Sequence, residues 1–263
     1  MATSTRALVA ATVVTAMLVA APAVACKDDD FDRVIRDEDQ QDRFDWKFAQ
    51  AFNNRCAAYL NKGDFDRALQ DCNQAVRYDP KNAIAFSNRG FAYAGKGDLG
   101  RAIQDYDEAI RLDPYLAGAR YNRAEAFEQQ NQYERALVDY DEIVRSRAVD
   151  ARALNNRCWT RAIVGQLEAA LADCNASLRL RPGSANTLDS RAFTHLKLGD
   201  LDVAVADYDV ALQINPQLAT ALHGRGVAKR ERGDHVGGDA DIAAAEAIKP
   251  DIADVFARYR LRR

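Results

Sequence analysis

The chain has 263 residues and a formal charge of −3 at neutral pH, with 36 basic against 39 acidic residues. That weakly acidic balance excludes an overall basic field of the kind that gathers nucleic acid. No low-complexity linker interrupts the long central stretch, which therefore reads as one continuous, locally packed core.

The first element is "MATSTRALVAATVVTAMLVAAPAVAC". Arg6 supplies a short positive region, Ala7 to Ala21 form an apolar run, and "AVA" before Cys26 fits a signal-peptidase site. Residues 1–25 are read as a signal peptide, and Pro22 with the short run argues against an uncleaved anchor. Cleavage would remove one arginine and take the charge to about −4. The chain is expected to be periplasmic or secreted. Cys26 at the new N-terminus is also a candidate lipidation site, which would make the protein an outer-membrane lipoprotein; a membrane enters only through that anchor. Against it, Ala23 stands where such signals most often carry leucine.

From residue 49 the chain repeats every 34 residues without insertion: 49–82, 83–116, 117–150, 151–184, 185–218 and 219–252. Arg55, Arg89, Arg123, Arg157, Arg191 and Arg225 keep that step, as do Asp71, Asp105, Asp139, Asp173, Asp207 and Asp241. With local positions counted 1 to 34, position 8 holds Cys56, Gly90, Ala124, Cys158, Ala192 and Gly226. Position 20 holds five alanines and Gly238. Small residues there allow two helices to approach closely, and larger apolar residues recur at positions 4, 17 and 24. Gly-Asp near position 15 ends a first helix and caps a second, and proline at position 32 ends the second. A period of 34 is that of a helix–turn–helix array.

On these residues the chain resembles the tetratricopeptide repeat family over 49–252. The resemblance implies an all-α fold: a right-handed superhelix, an α-solenoid of six hairpins. "FDRVIRDEDQ" at 31–40 sits 34 residues before "FDRALQDCNQ", so 26–48 is read as a degenerate N-terminal half-repeat. Residues 253–263 begin like another first helix and turn basic, and are read as a C-terminal capping helix with a polar outer face. The third unit departs from the pattern: Asn131 replaces the turn glycine, Ile143 an alanine, and Ala148 the proline, so its junction with the fourth is expected to be irregular.

In an antiparallel hairpin, facing positions have a nearly constant sum. Positions 8 and 24 satisfy it, and they carry Cys56 with Cys72 and Cys158 with Cys174. These pairs are either buried thiols acting as small apolar residues or disulfides. The in-register doublet and the exported N-terminus point to disulfides. Positions 7 and 23 also face each other, so each repeating arginine is expected to pair with its own unit's aspartate as a structural contact, not as a ligand ladder.

No catalytic constellation is present. His195, His223 and His235 fall at unrelated local positions, no HExxH, GxSxG, P-loop or GxGxxG occurs, and the carboxylates repeat with the scaffold. No enzyme activity, cofactor or metal is expected. The resemblance implies instead a concave groove lined by first helices, at positions 2, 5, 6, 9, 12 and 13. Candidate groove residues are Asn54, Asn88, Phe91, Tyr121, Asn122, Asn156, Trp159 and Phe193. The asparagines resemble the ladder with which peptide-binding members hold an extended backbone, and outward aromatics suit anchoring. Asparagine at position 6 and aromatics at position 9 could equally pack neighbouring repeats. The carboxylate clamp of co-chaperone members is not matched, because Asn53, Ala57, Gly118 and Asn122 occupy its places. The expected role is a protein-interaction scaffold in the cell envelope, taking an extended peptide or a partner helix. The alternatives are a lipoprotein adaptor anchored at Cys26 and an accessory subunit of an enzyme or sensor complex.

Overall fold

A computed structural model describes residues 46–146 and 150–260, which form thirteen helices and, among the described residues, no strand. The signal segment 1–25, Cys26, nearly all of the half-repeat and Ala148 lie outside the described residues. The chain divides into two compact units, up to Asn122 and from Arg123 onward.

In the first unit, α1 (Trp46–Asn61) and α2 (Phe65–Tyr78) form one hairpin, and α3 (Ala83–Gly95) and α4 (Leu99–Leu112) a second. Helix α3 packs on both α2 and α1. The unit boundary falls inside α5 (Ala117–Gln129). The second unit continues with α6 (Tyr133–Ser146), α7 (Ala151–Ile163), α8 (Leu167–Leu180), α9 (Ala185–Leu198), α10 (Leu201–Ile214), α11 (Ala219–Glu231), α12 (His235–Ile248) and α13 (Ile252–Arg260). Here α7/α8, α9/α10 and α11/α12 are hairpins, and α7, α9 and α11 pack as successive first helices. The fold class is that of an all-α solenoid.

The turns follow from particular residues. Each first helix ends at a residue with positive φ: Gly63, Gly97, Gly165, Gly199 and Gly233, with Asn131 at φ 57° in the third repeat. Glycine reaches that region without a Cβ penalty, and asparagine is among the few other residues that tolerate it. The third repeat therefore keeps the turn that its sequence had put in question. Asn131→Val is expected to lower stability by about 1 kcal/mol or more, whereas Asn131→Gly, which relieves the backbone but loses the bond that Asn131 Oδ1 accepts from the Tyr133 hydroxyl at 3.0 Å, should change the melting temperature less. Asp64, Asp98 and Asp234 then cap the second helices by accepting backbone N–H bonds from Arg67, Arg101 and Gly237. The aspartate cap is not kept in the other three repeats, where Gln132 stands in the third. Gln166 and Asp200 occupy the cap position without a side-chain cap bond, and Asp200 instead faces His195 Nδ1 at 3.1 Å. The second helices end two residues before Pro80, Pro114, Pro182, Pro216 and Pro250.

Close packing inside each hairpin rests on the small residues at positions 8 and 20, which are buried in all six repeats. In the last repeat a Cβ added to Gly226 would lie 2.7 Å from the Gly238 carbonyl oxygen, so only glycine fits there. Two hairpins carry cysteine at positions 8 and 24, and both pairs are bonded: Cys56–Cys72 and Cys158–Cys174, each with Cα atoms 5.4 Å apart. The other hairpins fill the same space with a larger residue over a smaller one; in the second repeat Tyr106 lies directly over Gly90.

Each hairpin is also clamped by a two-pronged ion pair. Arg55, Arg89, Arg123, Arg157, Arg191 and Arg225 donate through Nε and Nη2 to Asp71, Asp105, Asp139, Asp173, Asp207 and Asp241, at 2.6–2.8 Å. A second use was not anticipated from sequence. Nη1 of Arg89, Arg157, Arg191 and Arg225 reaches back to position 25 of the preceding repeat, at Asn73, Asp141, Asn175 and Asp209. One guanidinium therefore ties a hairpin together and ties it to its neighbour, which its five fixed donors permit.

Candidate functional site

The predicted groove residues of the first unit divide between packing and exposure. Asn54 on α1 is exposed, and Asn122 on α5 is half-buried. Asn88 on α3 is only 8% exposed, and its Nδ2 donates to Asn53 Oδ1 on α1 at 2.9 Å. That amide joins adjacent first helices and is not held out for a ligand. Phe91 packs against the cluster around Cys56 and Leu60, and Tyr121 is buried.

In the second unit the same positions are further enclosed. Asn156 Nδ2 lies 3.5 Å from the Tyr140 hydroxyl, and Ser190 repeats the Asn88 contact by donating to Asn155 Oδ1 at 3.1 Å. Phe193 is fully buried, so it is not an outward anchor as expected from its position. Its ring lies 4.9 Å from Trp159, with Phe256 of α13 edge-on at 5.4 Å. Helix α13 explains this burial. Tyr259 meets Trp159 edge-on at 5.3 Å and Tyr133 at 6.4 Å, and Phe256 lies 4.7 Å from His223. Tyr133 belongs to the third repeat, Trp159 to the fourth, Phe193 to the fifth and His223 to the sixth. The C-terminal helix is thus seated across the inner face of the unit as well as against α11 and α12. The signal for this in sequence is the spacing of Ile252, Val255, Phe256 and Tyr259: an i, i+3, i+4, i+7 stripe whose first three residues are buried. Ala253, Asp254, Ala257 and Arg258 are exposed.

A polar floor accompanies the aromatic trough. Thr160 donates to Glu128 Oε1 at 2.5 Å, and withdrawal from water raises the Glu128 carboxyl to about 7. Burial also raises Glu125, against the opposing field of Arg152. Asp189 is raised to about 7 by burial, partly offset by the Thr220 hydroxyl at 2.6 Å. Asp189 Oδ1 and His223 Nδ1 are buried with no hydrogen-bond partner among the described residues, and burial lowers the His223 pKa. Lys197 Nζ donates to the carbonyls of Ala162 and Ile163 at the end of α7, at 2.8 and 3.1 Å, and to Tyr259 O at 3.4 Å. Its burial lowers its pKa. Sequence reasoning missed this floor. The legible sign was Glu128 at position 12, where the other repeats hold Leu60, Ala94, Ala162 and Leu196, and the last holds Arg230.

The raised acids have a definite pH consequence. An unfolded glutamate titrates near 4.3, whereas Glu128 in the folded chain titrates at about 7. Between those values the folded state binds more protons, so the contribution of Glu128 is greatest below about pH 4 and falls as pH rises through 7. Glu128→Gln keeps the acceptor for Thr160 and removes the charge. It is expected to raise the melting temperature at pH 8 and to flatten its decline between pH 5 and pH 8, as read by circular dichroism.

Among the described residues no group of three or more histidine, cysteine, aspartate or glutamate side chains is placed to hold a metal ion, and no helix is long and apolar enough to cross a membrane. What the site offers chemically is an apolar, aromatic-walled surface with a few polar anchors.

A sequence profile of the tetratricopeptide repeat matches residues 57–117 and 119–185. The curated proteins contain no significant match. Among solved structures, a tetratricopeptide repeat protein from Parabacteroides merdae is similar at 19% identity, with TM-score 0.67, covering 81% of this chain and 88% of that one. PilW, described as a widely conserved type IV pilus biogenesis factor, is similar at 19% identity, with TM-score 0.68, covering 79% and 98%. YrrB, described as a TPR protein with an unusual peptide-binding site, is similar at 19% identity, with TM-score 0.53, covering 72% and 98%.

Proposed function

We propose that this chain, a tetratricopeptide repeat protein whose fold makes it a protein–protein interaction scaffold, is an exported adaptor without chemistry of its own that receives a partner helix on the inner face of its second unit. The observation that carries this reading is the seating of α13: the trough between Tyr133 and His223 already accommodates an amphipathic helix. A preformed aromatic surface lowers the ordering cost of binding, and helix-in-groove recognition uses the i, i+3, i+4, i+7 anchors that α13 displays. In the first unit the exposed Asn54 and half-buried Asn122 are the proposed polar contacts, beside Phe91 and Tyr121. Asn88 is assigned to packing.

Export is supported by the reading of residues 1–25 and by two disulfides, which persist in oxidising compartments. "AVAC" at 23–26 carries the lipid-anchored version of the same adaptor, which acyl-chain labelling of Cys26 tests.

The interaction reading is tested by affinity capture from cell-envelope extract, with cross-linking to locate the contact. Partners captured by the full chain should cross-link to α7 and α9 and be lost from Trp159→Ala, which should keep its helical circular dichroism. Cross-links confined to the outer helices, or capture untouched by Trp159→Ala, would remove the inner face from the interaction.

A further inference from the structure

The C-terminal helix sits where the proposed partner would bind, and its own properties define what that partner must look like. It has nine residues, and isolated helices that short are marginal in water. Its helical form therefore depends on the trough. Only three residues, Lys249–Asp251, connect it to α12, and Pro250 among them cannot continue that helix.

Ile252 and Val255 are buried, the helix packs on α11 and α12, and two further kinds of contact hold it in the trough. Phe256 and Tyr259 stack into Tyr133, Trp159, Phe193 and His223. Lys197 then donates to the carbonyl of Tyr259 in the last turn. Carbonyls at a helix C-terminus lack intrahelical partners and carry the negative end of the helix dipole, so the half-buried Lys197 ammonium is a suitable receptor for them. Lys197 does the same for Ala162 and Ile163 at the end of α7. It is a fixed marker of where a helix lying in this trough must stop.

We propose that residues 252–260 are a displaceable internal ligand that closes the trough, and that the partner is an amphipathic helix bearing aromatic residues at i and i+3, whose C-terminal carbonyls replace that of Tyr259 at Lys197. This rests on the reading of the trough as the binding surface and adds the partner's chemistry and its regulation. A partner must compete with the tethered helix, so its apparent affinity is reduced by the fraction of chains that are open. His223 Nδ1, buried without a hydrogen-bond partner beside Phe256, is the position where a better-matched helix gains a polar contact that α13 does not make.

The test uses a fluorescein-labelled peptide of residues 250–263 as the probe. The full chain with Phe256→Ala and Tyr259→Ala should bind it at least about tenfold more tightly than the unaltered chain, and adding Lys197→Ala should reverse most of that gain. Equal binding by closed and opened chains, or no binding by either, would overturn the proposal. Should the opened chain lose its helical signal, hydrogen exchange on the unaltered chain decides. Amides of 252–260 exchanging well ahead of those of α11 support displacement, whereas exchange only with global unfolding makes α13 a permanent part of the fold. The outcomes separate from the interaction reading. Partners captured equally by closed and opened chains sink the latch alone. Peptide binding without any partner cross-linked to the inner face sinks the adaptor reading alone.

Discussion

Arg123→Ala is expected to destabilise the chain by about 3–5 kcal/mol, because it removes the two-pronged guanidinium that pairs with a buried carboxylate. Asp139 has no exposed side-chain surface, and Arg123 meets it with Nη2 at 2.6 Å and Nε at 2.8 Å. The desolvation of Asp139 is already complete, and water cannot replace the lost guanidinium. A domain of this size should lose roughly 10 °C in melting temperature. Arg67, which pairs with Asp64 across an exposed helix start, provides the contrast: its alanine variant should barely change the melting temperature. Equal effects from the two substitutions would mean that the repeating pairs are solvated.

Loss of either disulfide is the second large effect. Each bond closes a loop of about 15 residues, so removing it should cost roughly 3 kcal/mol in the chain-entropy account. The hairpin frame adds a sharper expectation. Where cysteine is absent, positions 8 and 24 hold Gly90 with Tyr106, Ala124 with Tyr140 and Ala192 with Tyr208, while the last repeat holds Gly226 with Ile242. Cys158→Ala with Cys174→Ala leaves a gap that the second, third and fifth repeats fill with tyrosine. Cys158→Ala with Cys174→Tyr should therefore unfold at a higher denaturant concentration than the double alanine. The reverse order would show that the fourth hairpin has been shaped around its sulfurs.

Much of this architecture was legible in the residues because repetition samples each structural role six times. The ion pairs between positions 7 and 23, the cysteine pairing and the turn before each second helix all follow from one hairpin frame. The turn at Asn131 was read as a departure from the pattern, although asparagine is among the residues that tolerate its positive φ. What escaped was everything that occurs once. Helix α13 shares the register of a first helix, so its sequence reads as a cap on the last repeat. That its side chains reach Tyr133, far away in sequence, depends on how the inner face is shaped, which local periodicity does not encode. Phe193 illustrates the cost: its position predicted exposure, and a distant Phe256 covers it. Asn88 shows the complementary limit, since a position on the inner face does not say whether an amide is held for a ligand or spent on Asn53. Glu128 and Asp189 were overlooked because acidic residues are common on this chain, and only their enclosure distinguishes them.

The seating of the C-terminal helix is the claim on which the trough, its partner and its closure depend, and nuclear Overhauser spectra of the full chain with labelled aromatic rings test it most directly. Tyr259 should give cross-peaks to Trp159 and Tyr133, and Phe256 to Phe193. Cross-peaks from Phe256 and Tyr259 restricted to α11 and α12 would place the helix at the end of the last repeat and leave the inner face uncovered.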